Sequence, residues 1–467
     1  MNKYDLEIPI GKRTKAYRFF EMLPAILSYG TILLLIVLSI INPFSAAIYL
    51  MLIIITTLVK SAGIAVHTIG GRNKLEAAQR VDWHRRLLDL EDSSHALDRY
   101  KSHHQTTFGY DLHLENLRHI SKSPDEYPKP SQLYHAVIIA TYNESLEVLE
   151  PTIESVVATH YDNERLIIVL AYEERGGEAI EKTVQYLQEK FKDIFGMFEI
   201  VKHPKDLPNE VIGKGPNITY AGHYLKTLCD KQQINYNDVI VTTLDADNRP
   251  HQTYFDYVAY EYIVHEDRKK LSYQPISLFL NNIWDAPAPM RVIATGNSFW
   301  NIISSMRPHT LRNFASHSQP LDALVEMDFW STRSVVEDGH QYWRSYFHFK
   351  GDYSVTPVFV PIYQDAVLSH TYMRTLKAQF IQLRRWAYGA SDVPYVATSI
   401  FSKNRVVPFW EGLARLIRLI DSHVTLASVA ILVAFGGWIP LLLNNQAAHD
   451  IAAHQLPEVI SGVQRVA

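Results

Sequence analysis

The sequence predicts an α/β domain with a mostly parallel sheet, inserted between transmembrane α-helices. Three apolar segments, at 23–41, 44–66 and 424–443, have the length of a helix that crosses a bilayer. The chain between the second and the third has the polarity of a soluble domain. Short β-branched runs alternate there with helix-length segments, which is typical of a parallel sheet covered on both faces.

The composition excludes several classes of protein. The chain has 467 residues, of which 47% are hydrophobic and 20% charged, and its net charge is −4. These values exclude an acidic disordered chain and a low-complexity chain. The 45 basic and 49 acidic residues give no reason to expect a nucleic-acid partner. One cysteine, Cys229, cannot form an internal disulfide, so folding does not depend on an oxidising compartment.

Basic residues flank the first two spans, whereas the connector between the spans, with its helix-breaking Asn42-Pro43 pair, carries no charge. Under the positive-inside rule both ends of this hairpin are cytoplasmic, so we expect a multi-pass protein of the plasma or inner membrane with a cytoplasmic α/β domain. A cleaved signal peptide is the alternative, but tandem spans without a small-residue cleavage pattern disfavour it. The basic residues are Lys12, Arg13, Lys15, Arg18, Arg72, Lys74, Arg80, Arg85 and Arg86.

The changes in polarity divide the chain into seven segments. The predicted segments are a cytoplasmic N-terminal segment (1–22), a transmembrane hairpin (23–67), a helical connector with a proline-rich linker (68–132), the α/β domain (133–370), amphipathic interface helices (371–422), a third transmembrane helix (423–443) and a tail (444–467).

Ligands of such α/β domains bind beyond the carboxyl ends of the strands, so the residues after each predicted strand are the candidates for a site. Helix-length segments at 147–159 and 178–191 separate the first three strands. The predicted strands are 136–141, 165–172, 198–201, 238–247 and 291–296.

Polar residues follow the first two predicted strands. Thr141 and Glu144 lie after the first, although a helix cap by Asn143 or Ser145 is an equally good interpretation of this segment. Glu173 follows the second strand, either as a ligand of hydroxyls or a base edge or as an exposed loop carboxylate. Lys214 lies in a glycine-bracketed turn that suits a diphosphate but lacks the spacing of a Walker loop.

The segment VIVTTLDAD gives the most specific indication of chemistry. It ends in Asp245 and Asp247, alternate residues of an extended chain, whose carboxylates project from the same face. Two such carboxylates are costly to hold together unless a cation neutralises them. Hard oxygen ligands suit Mg²⁺ or Mn²⁺, with phosphate oxygens completing the shell, so we expect a metal site here.

Two further motifs lie towards the end of the α/β domain. Glu337 and Asp338 stand at a predicted helix start, where a carboxylate can act as a general base, or simply stabilise the helix N-terminus. The pentapeptide QLRRW provides Gln382, Arg385 and Trp386, with a guanidinium suited to phosphate and an indole suited to a sugar ring. Taken alone, the pentapeptide would be an interfacial anchor.

Taken in order, the motifs TYNE, DAD, ED and QLRRW resemble those of the membrane-integrated family 2 glycosyltransferases, which include cellulose, chitin and hyaluronan synthases. The resemblance covers residues 136–386. It implies a GT-A fold, in which a Rossmann-like mixed sheet binds a nucleotide sugar, normally UDP-linked. It also implies transfer with inversion at the anomeric carbon.

The resemblance further implies roles for particular residues. The implied nucleotide-sugar-binding residues are Thr141, Glu144, Glu173, Lys214 and Asp245. The implied metal ligands are Asp245 and Asp247, the implied catalytic base is Asp338, and the residues implied at the diphosphate and acceptor are Gln382, Arg385 and Trp386. Residues 294–300 resemble an acceptor-side strand.

The sequence departs from the family pattern in two places. The family usually has an aspartate pair after the second strand, where this chain has Glu173 and Glu174, which leaves the base of the donor open. Processive members often carry more spans after QxxRW, whereas one span follows here. Additional membrane subunits, a single transfer to a lipid, or a truncated product would each account for this difference.

The resemblance thus implies a membrane-bound inverting hexosyltransferase that needs Mg²⁺ or Mn²⁺ and takes part in polysaccharide biosynthesis. Its expected partners are a nucleotide-sugar donor, a carbohydrate or lipid acceptor and membrane lipids. The alternatives are a single-transfer glycolipid glycosyltransferase and a non-catalytic membrane scaffold that retains the fold. A transporter is disfavoured because the three spans contain almost no polar residues to line a pathway.

Overall fold

The computed structural model describes residues 7–101, 106–444, 458 and 462, and the chain forms two compact units. The first unit contains the residues up to Ile8 and Gly70–Trp386. The second contains Pro9–Ile69 and the residues from Ala387 onward. Most of the predicted tail at 444–467 lies outside the described residues.

The described chain contains seventeen α-helices. They are α1 (Lys15–Ile41), α2 (Pro43–Gln79), α3 (Trp83–Asp89), α4 (Ser93–Tyr100), α5 (Tyr110–Ile120), α6 (Leu146–Val157), α7 (Gly177–Phe191), α8 (Lys214–Gln232), α9 (Tyr254–Val264), α10 (Ala288–Ser305), α11 (Leu321–Glu326), α12 (Glu337–His348), α13 (Tyr372–Ala387), α14 (Asp392–Ile400), α15 (Phe409–Val424), α16 (Ala430–Phe435) and α17 (Ile439–Leu443).

Eight strands of the first unit form one sheet, with the order β3-β2-β1-β4-β7-β6-β8-β5. They are β1 (Tyr134–Thr141), β2 (Leu166–Glu173), β3 (Met197–His203), β4 (Val239–Asp245), β5 (Arg249–Pro250), β6 (Leu271–Leu278), β7 (His317–Pro320) and β8 (Ser354–Tyr363). The first four of the five predicted strands are confirmed as β1 to β4. The fourth is shorter than predicted, because β4 ends at Asp245, so Asp247 lies in the turn after the strand and the expectation that both carboxylates stand on one extended chain is wrong.

The sheet is mixed, because it contains both parallel and antiparallel strand pairs. Strands β1 to β4 pair in parallel, and β6 pairs in parallel with β8. Strand β7 runs antiparallel to both β4 and β6, and β5 runs antiparallel to β8. The predicted parallel arrangement therefore holds for the half of the sheet that contains β1 to β4, and the antiparallel β7 joins this half to the rest.

The core lies on both faces of the sheet because successive side chains of a strand point to opposite faces. In β1, Val137 and Ile139 belong to the cluster that includes Ile153 of α6 and Val184 of α7. The alternate residues Ala136 and Ile138 pack into the cluster that includes Ile218 and Leu225 of α8. These helices cover the two faces as the alternation of apolar runs predicts.

The fifth predicted strand, at 291–296, is wrong, and so is the acceptor-side strand at 294–300. Both segments lie in the helix α10. Ala294, Ser298 and Asn301 are buried at spacings of four and three residues, which is the period of a helix. The run RVIATG contains β-branched residues, but its packing follows this helical period, so local β propensity is overridden.

The second unit is helical and mainly apolar. Three helices are long and apolar enough to cross a membrane: Lys15–Ile41, Pro43–Gln79 and Phe409–Leu443. The predicted break between the first two is confirmed, since Asn42 is extended and its Oδ1 accepts a hydrogen bond from the backbone N–H of Phe44 at 3.0 Å. The third helix contains a π-helical turn at Thr425–Val429.

Candidate active site

The carboxyl ends of β1, β2 and β4 lie side by side and form the edge where polar residues were expected. In the parallel register Thr141 pairs with Tyr172 of β2, and Ala140 pairs with Asp245 of β4. The buried amide of Asn217, on α8, fixes this edge. Its Nδ2 donates to the carbonyl oxygens of Thr141 at 3.3 Å and of Ala171 at 3.1 Å.

Glu144 folds back over the turn that follows β1. Its Oε2 accepts hydrogen bonds from Thr141 Oγ1 at 2.7 Å and from the backbone N–H groups of Tyr142 at 2.7 Å and Asn143 at 3.2 Å. Three donors already surround this oxygen. The carboxylate therefore shapes the turn. The predicted side-chain cap by Asn143 or Ser145 is not formed at the start of α6, where Ser145 is the N-cap residue.

Glu173 lies in a buried charged cluster at the end of β2. Its Oε2 is 3.1 Å from Arg175 Nη2 and 3.3 Å from Nδ1 of His203, and the second ring nitrogen of His203 is 3.1 Å from Glu210. Burial disfavours the charged imidazole, but the carboxylates of Glu173 and Glu210 outweigh burial and raise the pKa of His203. Because Glu173 is buried, the interpretation of this residue as an exposed loop carboxylate is wrong.

Lys214 and Asp245 form an ion pair, with 2.5 Å between Nζ and Oδ1. The lysine starts α8 instead of lying in a turn, and it reaches the end of β4 from there. Burial disfavours the charged form of each group, but their mutual attraction prevails. It lowers the pKa of Asp245 and raises the pKa of Lys214.

The glycines on either side of Lys214 have different surroundings. A Cβ at Gly215 would lie 2.4 Å from the carbonyl oxygen of Ser331 and 3.1 Å from the Cβ of Glu337. A Cβ at Gly213 would have no atom within 4 Å. Gly215 is thus needed for the close approach of α8 to the segment that leads into α12.

Asp247 faces other carboxylates. Its Oδ2 accepts a hydrogen bond from the backbone N–H of Asp365 at 3.1 Å, and its carbonyl oxygen accepts one from Asn281 Nδ2 at 3.0 Å. Burial, together with the negative charges of Asp245 and Asp365, raises the pKa of Asp247 to about 7. Two neighbouring acids thus oppose its ionisation.

Glu337 and Asp338 begin α12, as predicted, and differ in their surroundings. Glu337 is buried, and burial together with the charge of Asp338 raises the pKa of Glu337. Asp338 is half-buried and held by backbone donors: Oδ2 accepts from the N–H of Ala315 at 2.5 Å and Oδ1 from the N–H of Gly339 at 2.7 Å. These bonds fix the orientation of the carboxylate.

The predicted diphosphate and acceptor residues lie on the last turns of α13. Gln382 accepts a hydrogen bond from Gln379 at 3.0 Å, and Trp386 is half-buried. Arg385 is exposed, but its positive charge is close enough to Asp245 to contribute to the lowered pKa of that carboxyl. Electrostatics thus connects this motif with the end of β4.

Three residues of this region escape the sequence motifs. They are Asn217, which fixes the ends of β1 and β2, Asp365, which follows β8, and His317 on β7. His317 is buried, and burial lowers its pKa to about 4. Its Nδ1 faces the carbonyl oxygen of Ala315 at 3.2 Å, while its Nε2 has no hydrogen-bond partner among the described residues. The polar character of Asn217 within an apolar helix face is the only sequence signal that could have marked one of them.

The donor set at the end of β4 fits a hard divalent cation in part. Asp247 lies among carboxylates without a compensating base in contact, and Oδ1 of Asp365 is buried without a partner among the described residues. Carboxylate oxygens are suitable ligands for Mg²⁺ or Mn²⁺. Over the described ranges no group of three or more His, Cys, Asp or Glu side chains is arranged to hold a metal. A cation here would need further ligands from a bound phosphate and water.

The comparisons with known proteins concern structure alone, since no protein-family model and no curated protein matches the sequence. A similar solved structure is the mannosyltransferase PcManGT from Pyrobaculum calidifontis in complex with GDP-Man and Mn²⁺. It is 16% identical, with a TM-score of 0.42 and coverage of 80% of this chain and 96% of that chain.

Structures of TarS from S. aureus are also similar. TarS 1-349 is 11% identical, with a TM-score of 0.33, and the match covers 66% of this chain and 86% of the TarS chain. Its complex with UDP-GlcNAc is 10% identical with a TM-score of 0.34 and the same coverage. These neighbours are glycosyltransferases. All of these TM-scores are below 0.5, so the structural similarity does not show the activity of this chain.

Proposed function

We propose that this chain is a membrane-bound inverting glycosyltransferase of family 2 with a GT-A fold. It transfers a hexose from a UDP-linked donor to a growing polysaccharide and so acts as a polysaccharide synthase. The observation that carries the proposal is the grouping of Lys214, Asp245, Asp247 and the Glu337-Asp338 pair. These groups interact electrostatically at the carboxyl edge of parallel strands, where nucleotides bind in such sheets.

The residues of the edge have complementary roles in this proposal. Thr141, Glu173 and the turn shaped by Glu144 bind the nucleotide. Asp245 and Asp247 hold Mg²⁺ or Mn²⁺, which when bound neutralises charge on the diphosphate. Lys214 and Arg385 bind the diphosphate oxygens and stabilise the charge that develops there as the glycosidic bond breaks.

Asp338 is the catalytic base in this mechanism. One carboxylate oxygen accepts the proton of the acceptor hydroxyl, while the hydroxyl oxygen forms a bond to the anomeric carbon and the bond from that carbon to the diphosphate oxygen breaks. The attack and departure are in line, so the configuration inverts and no covalent sugar–enzyme intermediate forms. Gln382 and Trp386 position the acceptor.

The chain lies in the membrane through its three apolar helices in this proposal, and its first unit is cytoplasmic. The basic residues that flank the first two predicted spans support this orientation. A cytoplasmic site has direct access to nucleotide sugars.

The experiment is an assay of the full chain in lipid nanodiscs with a panel of UDP- and GDP-linked sugars and Mg²⁺ or Mn²⁺. We expect sugar transfer from one UDP donor, a product that grows in length, and NMR signals of the inverted anomer. A product of one sugar on a lipid would instead identify a single transfer. If the folded chain bound a donor but showed no turnover under any of these conditions, the proposed enzymatic activity would be contradicted. The result would favour the non-catalytic scaffold.

A further inference from the structure

Ala315 has a left-handed backbone conformation, with φ at 49°. An alanine rarely adopts this conformation, because its Cβ comes too close to the following carbonyl oxygen, and glycine is the usual residue there. Ala315 lies in the turn at 314–316, directly before β7, and this turn is here called the Ala315 turn. A conformation of this kind persists only where the surrounding structure holds it.

Gln274 of β6 brackets the Ala315 turn. This residue is fully buried, and its Oε1 accepts a hydrogen bond from the N–H of Phe314 at 3.1 Å. Its Nε2 donates to the carbonyl oxygens of Phe314 at 3.0 Å and Ser316 at 3.1 Å. The buried Asn248 adds a hydrogen bond from Nδ2 to Ser316 Oγ at 2.5 Å. Both neighbours of Ala315 are thus fixed by side chains from other segments.

His317 holds Ala315 itself. The Nδ1 atom of His317 lies 3.2 Å from the carbonyl oxygen of Ala315. Burial lowers the pKa of His317 to about 4, so the ring is neutral, and because a carbonyl oxygen only accepts, Nδ1 carries the proton. His317 is the first residue of β7 and pairs with Thr243 of β4. The ring is therefore anchored to the sheet beside the strand that ends in Asp245.

The Ala315 turn presents one backbone N–H to the predicted base. The N–H of Ala315 donates to Oδ2 of Asp338 at 2.5 Å, and the N–H of Gly339 donates to Oδ1 at 2.7 Å. Gly339 belongs to α12 and moves with Asp338. Of the two hydrogen bonds that the structure describes for this carboxylate, only the bond from Ala315 comes from outside α12. This bond therefore ties the carboxylate to the sheet.

We propose that His317 and Gln274 are positioning residues for Asp338. They hold Ala315 in its left-handed conformation, so that its N–H keeps the carboxylate where it accepts the proton of the acceptor hydroxyl. Neither side chain touches the substrate. A misplacement of a reacting group by about 1 Å can cost roughly a hundredfold in rate. This inference rests on the function proposed above, because it assigns a role relative to the catalytic base.

The test compares replacements of His317 in the full chain in lipid nanodiscs. His317→Leu removes the donor at Nδ1, whereas His317→Asn keeps a donor near the same place. His135→Leu is the matched control, because His135 is also fully buried in the sheet and its Nε2 lies 3.0 Å from the carbonyl oxygen of Phe255. His135 lies near the start of β1, at the end of that strand away from the candidate site. His317→Gln replaces His317→Leu if the latter does not fold.

We expect His317→Leu to lower kcat roughly tenfold to a hundredfold, with little change in the KM of the donor or in the Kd of UDP. His317→Asn should retain most of kcat. His135→Leu should lower the melting temperature and leave kcat close to the native value. Equal losses of kcat in His317→Leu and His135→Leu would overturn the proposal, and so would a loss that appears in KM alone.

A double-mutant cycle with Asp338→Asn separates positioning from a general loss of structure. If His317 acts through the carboxylate of Asp338, the effects of the two variants are not additive. His317→Leu should then change the single-turnover rate by less than about twofold in the Asp338→Asn chain. The same fold loss in both backgrounds would show that His317 acts independently of the base, which contradicts the proposal.

Hydrogen exchange at 313–316 tests the contact without an activity measurement. The N–H of Ala315 should exchange roughly tenfold faster in His317→Leu than in the native chain, the effect of losing about one hydrogen bond. Unchanged exchange of this N–H would overturn the proposal even if kcat fell. If the native chain transfers no sugar, the proposed function fails, and the exchange measurement still decides whether His317 holds this N–H.

Discussion

The ammonium group of Lys214 lies 2.5 Å from Oδ1 of Asp245, so a residue at the start of a helix neutralises a carboxylate at the end of a buried strand. The lysine side chain is 14% exposed and that of Asp245 39%. The pair is therefore reachable from solvent on the acid's side. A diphosphate that approaches from this side meets a positive charge already held in place.

Replacement of Lys214 by methionine is expected to weaken the binding of a UDP donor. A hydrogen bond to a charged group contributes about 2 kcal/mol, which corresponds to a loss of roughly thirtyfold in affinity. Isothermal titration with UDP and Mg²⁺ measures this loss. Lys214→Arg keeps the charge and should retain most of the affinity. Equal affinities of Lys214→Met and the native chain would exclude contact between this lysine and the donor.

Alanine at Gly215 is expected to destabilise the first unit, whereas alanine at Gly213 is not. The methyl group at 215 would meet the backbone of Ser331, which cannot rotate away, and overpacking of this kind costs about 1–3 kcal/mol. Thermal unfolding of the two variants in the same detergent measures the difference. If Gly213→Ala lowered the melting temperature as much as Gly215→Ala, the close approach would not be the cause.

The N-terminal Glu7 is expected to stabilise the segment that leads into α12. It accepts a hydrogen bond from Ser331 Oγ at 2.7 Å and lies 3.3 Å from the buried Arg344, which also donates to the carbonyl oxygens of Met327 at 2.7 Å and Phe329 at 2.8 Å. Glu7→Gln should therefore speed hydrogen exchange at 327–336.

Glu178→Gln is the control for that experiment, because it removes one charge from an exposed pair with Lys182 that contributes little. Unchanged exchange at 327–336 in Glu7→Gln would mean that Ser331 and Arg344 hold the segment without the N-terminal residues.

The stability of the chain is expected to depend on pH through His203. Its pKa is raised above the ordinary value of 6.5 by Glu173 and Glu210, so its ion pairs stabilise the fold fully below pH 6.5. This contribution disappears as the pH rises through the raised pKa of the folded state. The melting temperature of the native chain should therefore fall towards that of His203→Gln above pH 6.5. A difference between the two chains that is constant from pH 6 to 9 would exclude this mechanism.

Asp338→Asn is expected to lower kcat by roughly 10²–10⁴-fold, the usual contribution of a general base. Donor affinity should change little, because the amide oxygen still accepts the hydrogen bond from the N–H of Ala315 and only the bond from the N–H of Gly339 is lost. Single-turnover assays combined with titration of UDP separate the two effects. Full turnover in Asp338→Asn would show that this carboxylate is not the base, and Glu337→Gln would then be the next variant to measure.

The half of the sheet around β1 could be predicted from the sequence because its strands are continuous apolar runs. Strand β6 was missed because Ser272, Gln274 and Ser277 are polar yet fully buried. Gln274 there satisfies the carbonyl oxygens of Phe314 and Ser316, partners far away in the chain. Local sequence patterns carry no information about such distant partners. A buried strand with polar side chains therefore cannot be distinguished from a loop in the sequence.

The residues of the candidate site also fall into a group that could be predicted and a group that could not. Short sequence motifs predicted the proximity of the acidic residues Asp245, Asp247, Glu337 and Asp338. Asp365 and His317 come to the edge through β8 and β7, which were not predicted. Helix α10 was mistaken for a strand because its run RVIATG contains β-branched residues, and because its buried residues are a mixture of apolar side chains and polar ones such as Ser298 and Asn301.

The turn after β1 has a consequence for the thermodynamics of ligand binding. Because Oε2 of Glu144 already joins the side chain of Thr141 to two backbone amides, the backbone there has little freedom left to lose. A nucleotide that binds against it therefore meets a preorganised surface. The loss of conformational entropy on complex formation should then come mainly from the mobile sugar and acceptor. The heat capacity change for binding of the nucleotide alone should reflect the surface area that is buried and not the folding of a loop.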